Sequence, residues 1–237
     1  MPGRGAFQHR SPARRDGAGV LREAPVSESE GAWSTLASSL AGGTGEEGDA
    51  ARLMRIHLLG APRVEWAGTA LILPRRQCRA LLFRLAASAD PAPREALQFL
   101  LWPDLPDAEA RRNLTHMLTH LRRSLPDVNL LSTTGDRVAL DAARTWVDVR
   151  EFVRLCAIPE PLRLGALRKA VSLYRGPFLD GFFLRSLPNA ADSPEFDAWN
   201  AQERYTHERS YLEALELLIS DAEARESLEE AIALAER

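Results

Sequence analysis

Residues 107–125, DAEARRNLTHMLTHLRRSL, decide how the rest of the chain is read. Asp107 is a good N-cap and Pro126 follows the last residue, so the spacing predicts a helix between them. At 100° per residue, Ala110, Leu114, Met117, Leu118, Leu121 and Leu125 share one arc of about a hundred degrees. The opposite side carries Arg112, His116, Thr119 and Arg123, with Arg111, Thr115 and Arg122 beside them. No acid lies between Arg111 and Arg123. A solvated helix face ordinarily mixes signs, because opposite charges one turn apart stabilise it. A face of cations and small hydrogen-bonding groups instead suits a polyanion, and the major groove of DNA admits a helix. Arg112, Thr115, His116, Thr119 and Arg123 are the candidate base readers: arginine offers guanine two parallel hydrogen bonds, and threonine offers a thymine methyl contact. Arg111 and Arg122 are candidate phosphate contacts.

Outward from this helix the pattern is that of a small mixed module. Met54, Ile56 and Leu58 alternate with polar residues; Val64 and Trp66 lead to Gly68 and then Leu71–Leu73, three short antiparallel strands. A helix is expected over about 75–88 and a shorter one after Pro93, ending at Trp102-Pro103, where proline disfavours helix in the residue before it. Downstream, Leu130–Thr133 and Arg137–Leu140 flank Gly135-Asp136, a hairpin signal. Strands, three helices and a hairpin make a winged helix with an added N-terminal antiparallel sheet. Arg75, Arg76 and Arg137 join the candidate phosphate contacts, with Arg137 equally placed on the hairpin to enter the minor groove.

From Val147 onward the reading is helical. Leu164, Leu167, Val171 and Tyr174 share a face, and Ser193-Pro194 pairs a cap with a favoured first residue. Phe196, Trp199, His207, Tyr211, Ala214 and Leu218 fall on one side of the helix that follows, and a last helix is expected over about 222–235. An all-α, tetratricopeptide-like region is the expectation, giving a mostly α chain with small β parts. The predicted division is a disordered tail over 1–52, the winged helix over 53–150 and the helical domain over 151–237.

Charge separates these parts. The 237 residues carry a net −3, yet residues 54–150 hold 14 Arg against 10 acids, and residues 151–237 hold 10 Lys and Arg against 16 acids. The basic part is the one suited to nucleic acid. The tail has no apolar signal region and nothing reads as a membrane span, so the expected location is cytoplasmic, with Cys78 and Cys156 as free thiols. Gly42-Gly43-Thr44-Gly45 lacks the Lys-Ser/Thr of a phosphate loop, so no nucleotide cofactor is expected. His116 and His120 have the spacing of two zinc ligands, but Met117 stands where a zinc hydrolase needs Glu, and no third ligand is evident. His9, His57 and His207 form no cluster and read as surface or structural residues. No catalytic constellation or metal site is expected.

Four stretches carry a family resemblance: Leu58-Leu59-Gly60 with Leu73-Pro74-Arg75-Arg76; Leu101-Trp102-Pro103-Asp104 with Ala110–Leu114 and Leu121-Arg122-Arg123; Leu173–Leu179; and Asp192–Phe196 with Trp199. Together they resemble the SARP-type bacterial regulators, in which an OmpR-type winged helix precedes a bacterial transcriptional activator domain. The resemblance implies an activator that binds promoter repeats and recruits RNA polymerase. It implies a polymerase contact in the loop holding Trp102, Asp104 and Leu105, with Trp102 and Pro103 equally readable as core edge. In the family the helical domain continues through further helices, whereas this sequence stops at Arg237 within an expected helix; either the natural protein is short or this is part of a longer regulator, with homodimerisation as one route to a competent assembly. The competing expectation is a protein-interaction adaptor whose winged helix no longer binds DNA.

Overall fold

A computed structural model gives the structure, and it describes residues 54–184 and 193–237. The expected disordered tail, the Gly42–Gly45 stretch, His9 and Asp192 lie outside the described residues.

The described residues begin with β1 (Met54–His57), β2 (Arg63–Trp66) and β3 (Thr69–Ala70), antiparallel in succession. The third strand begins two residues before the expected Leu71. Trp66 pairs with Thr69 across Ala67 and Gly68, both at positive φ (47° and 78°). A two-residue turn of this kind returns the chain at once, so pairing is spent before Leu71 is reached. Periodicity did not announce a fourth strand, β7 (Thr145–Val147), which lies parallel to β1 with Met54 opposite Thr145 and Ile56 opposite Val147. The sheet order is β3-β2-β1-β7.

Between β3 and β7 lie α1 (Arg76–Ala87), β4 (Ala92–Pro93), α2 (Arg94–Leu101), α3 (Asp107–Ser124), β5 (Leu131–Thr134) and β6 (Arg137–Leu140). The expected hairpin is β5–β6, and β4 adds to it as an edge, giving the order β4-β6-β5. Pro93 has no N–H to give a ladder, which an edge position tolerates. Asp107 proves to be the first residue of α3 and not its cap. Pro106 precedes it in extended conformation, and its carbonyl accepts from Glu109 and Ala110 N–H. Asp107 and Glu109 instead place negative charge in the first turn, where the helix dipole favours it.

The helical half consists of α4 (Asp148–Cys156), α5 (Arg163–Leu173), α6 (Pro194–Ala224) and α7 (Leu228–Ala235), each packed on the next. Residue 150, the expected domain boundary, falls inside α4. Ser193 caps α6 as expected, accepting from Phe196 N–H. Its hydroxyl also donates to the Leu100 carbonyl at the end of α2. The last helix is not continuous over 222–235. Ala222 is buried within the end of α6, and the chain turns at Arg225–Ser227 with Glu226 at φ 59° before α7 begins.

Besides the Ser193–Leu100 contact, two seams among the described residues join the halves. Leu59 bridges Phe178, with hydrogen bonds from Gly60 N–H to Pro177 O (3.1 Å), Leu179 N–H to Leu58 O (2.8 Å) and Asp180 N–H to Gly60 O (3.0 Å). Two glycines face each other here at φ 102° and 152°, backbone conformations that side chains rarely adopt, and a Cβ on Gly176 would lie in contact with the Gly60 Cα at 3.4 Å. At the other seam Phe182 packs edge-on against Phe83 of α1 and Phe196 of α6. A single cluster of buried apolar residues therefore runs from Met54 to Leu218. Beneath the first seam, fully buried Asp148 accepts hydrogen bonds from Leu58, Leu59 and Val149 N–H and from Arg175. These three N–H groups have no strand partner, so a carboxylate is the group that satisfies them.

Candidate nucleic-acid interface

α3 is held by its apolar arc. Ala110, Leu114, Met117, Leu118 and Leu121 are buried, with Leu125 just beyond the helix end. What this leaves outside is the predicted face: Arg111, Arg112, Thr115, His116, Thr119 and Arg123 are exposed, and Arg122 is half-buried. The five candidate base readers therefore share one accessible surface, acid-free from Arg111 to Arg123, with exposed Glu109 of the first turn one turn before Arg112.

The two threonines are more constrained than composition shows. Thr115 Oγ1 donates to Arg111 O and Thr119 Oγ1 to Thr115 O, each at 2.9 Å. With its hydroxyl proton given to the helix, each threonine offers a methyl and a hydroxyl acceptor, not a donor for phosphate.

The candidate phosphate contacts divide. Arg122 reaches Thr133 Oγ1 of β5 at 2.9 Å, tying the helix to the hairpin and spending one of its donors. Arg137 is exposed at the start of β6 and donates one N–H to Pro91 O (3.0 Å), which leaves the rest of its guanidinium outward. Arg75 is exposed just ahead of α1 and stands over a cleft beside α3. Arg76 does not join them: its guanidinium lies 5.2 Å from the Phe182 ring centre and its Nε is buried. It caps the aromatic seam. Adjacent arginines look alike in sequence, and only the position of Phe182, more than a hundred residues later, separates them.

In the loop between α2 and α3, Trp102 is 6% exposed and belongs to the core edge; Leu105 is half-buried and Asp104 exposed. Of the three expected polymerase-contact residues, Asp104 alone is fully presented.

Two residues escaped the sequence reading as binding groups. Asn113 and His120 lie on the flank of α3 and line the cleft with Arg75 and His116. By spacing alone His120 suggests only a zinc ligand. Partial desolvation, then Arg75, Arg123 and His116, hold its imidazole below the usual histidine range. Among the described residues no group of three His, Cys, Asp or Glu could hold a metal ion, and no helix is long and apolar enough to cross a membrane.

The protein is thus a winged helix, with a basic helix face outward, followed by a stack of helices. A solved structure of Mycobacterium tuberculosis EmbR, in complex with a low-affinity phosphopeptide, is similar to it at 19% identity and a TM-score of 0.49. That similarity covers 77% of this chain and 54% of EmbR, so the chain spans about half the length of that structure. No family model matches the chain, and no curated protein matches it.

Proposed function

We propose that this chain is a sequence-specific regulator of transcription that binds double-stranded DNA through α3. The observation that carries the reading is the exposed run of Arg111, Arg112, Thr115, His116, Thr119 and Arg123, accessible on one surface and free of acids. Arg112 and Arg123, with His116, Thr115 and Thr119, read base edges; Arg75, Arg111, Arg122 and Arg137 contact phosphates. On this reading residues 53–150 are the DNA-binding domain, with the tail over 1–52 before it. The acidic helical domain over 151–237 serves protein partners, and the protein works in the cytoplasm as a SARP-type activator at promoter repeats, alone or as a homodimer. RNA polymerase is contacted at the α2–α3 loop through Asp104 and Leu105.

Salt titration of binding to duplexes selected from a random pool tests the reading. With about five phosphates neutralised, log affinity should fall against log salt with a slope of about −4 to −5. Arg112→Ala should cost about 1–3 kcal/mol and relax preference at one base position, whereas Arg137→Ala should weaken all duplexes alike. Salt-independent binding would remove the electrostatic basis. A stable protein complex without DNA affinity would favour the adaptor instead.

A further inference from the structure

A helix seated in a groove turns its outer face to the bases and its two flanks to the two sugar–phosphate walls. On α3 the outer face is Arg112, Thr119 and Arg123. One flank holds Arg111 and Arg122, and Arg122 is already tied to the hairpin at Thr133. The opposite flank, roughly 180° away at 100° per residue, holds Asn113 and His120. It borders an open cleft of about 340 Å3, whose polar walls are Arg75, Gln77, Asn113, His116 and His120. No acid lines it.

We propose that this cleft seats one phosphate group of the DNA backbone, held by Arg75 and Asn113, and that His120 takes up a proton as the phosphate enters. The inference rests on the DNA-binding reading above and adds to it a defined second wall contact and a coupling to pH. Every charged group facing His120 in the free protein is a cation or a histidine: Arg75 from the segment before α1, and Arg123 and His116 from α3 itself. α1 contributes Gln77 and Cys78, whose thiol burial pushes up and so keeps neutral. The α2–α3 loop contributes Trp102 and Leu105, neither of which titrates, while Asp104 of that loop does not line the cleft. An imidazole in this company stays neutral near pH 7. A phosphate placed between it and Arg75 reverses the local sign and favours imidazolium. Because the complex then binds more protons than the free protein, affinity strengthens as pH falls toward the free imidazole's own range. It gains nothing above the imidazole's range in the complex.

The test is a histidine-ring NMR titration of the full chain, alone, with duplex DNA and with inorganic phosphate, alongside binding measured from about pH 8 to about pH 6. The His120 resonance is assigned by His120→Gln. Expected are a rise in the His120 titration midpoint with duplex, affinity tightening by up to about tenfold per pH unit, and a flatter pH dependence in His120→Gln. Duplex binding with an unmoved His120 midpoint overturns the phosphate seat and leaves the DNA reading standing. A midpoint raised by inorganic phosphate in a protein that binds no duplex identifies a free-anion site and overturns both. So does a protein that responds to neither.

Discussion

His57 ends β1 only 7% exposed, and its surroundings dictate which proton it keeps. Arg175 approaches its Nδ1 at 2.6 Å, and a guanidinium can only donate, so Nδ1 accepts and Nε2 carries the hydrogen toward Glu65, 3.7 Å away. Burial first, then Arg63 and Arg175, lower its pKa from 6.5 to about 4, against a smaller opposing pull from Glu65. A depressed folded value means the unfolded chain takes its proton earlier. The associated stability is complete above about pH 6.5 and is lost as pH falls toward 4, by up to about 3 kcal/mol. Urea unfolding across this interval should show the loss, and His57→Gln should reduce its slope; an unchanged slope would mean His57 is not buried in solution. At this scale the sequence was informative where one helix face sufficed. Arg112, His116 and Arg123 are outward as the 3.6-residue period requires. His57 and His207 are structural, both buried and both outside the basic face. Arg76 misled because its partner Phe182 is remote in the chain, while for Trp102 burial selects the core-edge one of two equal readings.

Elements were legible in proportion to their length and their caps. α6 begins where Ser193-Pro194 predicted, since a side-chain acceptor followed by a residue without an N–H suits an N-terminus whatever surrounds it. Its cap also fastens it to the end of α2 through the Leu100 carbonyl. Ser193→Ala should therefore cost about 1–2 kcal/mol in urea unfolding, toward the upper end of the range for a cap. A loss below a few tenths would mean water replaces both bonds. β4 and β7 stayed hidden because two or three residues cannot display an alternation. What makes each a strand is a partner supplied by tertiary structure, β6 for one and β1 for the other. The cap of α3 misled for a related reason: Asp107 has the right chemistry, but the proline before it already holds the extended conformation an N-cap needs.

At the scale of the whole molecule the fold class was readable and the joining of its halves was not. Composition and period give a winged helix and then helices. They are silent on the Gly60–Gly176 contact, because close passage of two backbones leaves no trace in hydrophobic spacing. Gly60 sits at φ 102° and Gly176 at φ 152°, and each would place a Cβ against the other strand of the seam. Gly176→Ala should destabilise by about 1–3 kcal/mol, because φ 152° is unfavourable for a residue with a Cβ. Urea unfolding monitored by Trp199 fluorescence, with the other tryptophans replaced, reads this from the helical side. A negligible change would show that the seam supports nothing.

The parallel pairing of β1 with β7 bears on the birth of the protein. During translation β1 emerges early, while its second neighbour emerges about ninety residues later, after three helices and a hairpin have left the ribosome. Until then the nascent chain carries an open strand edge next to the apolar side chains of Met54 and Ile56, the sort of edge that invites pairing with a stranger. A polypeptide cut just short of Thr145 should accordingly clump, whereas one extended past Val147 should gain solubility abruptly.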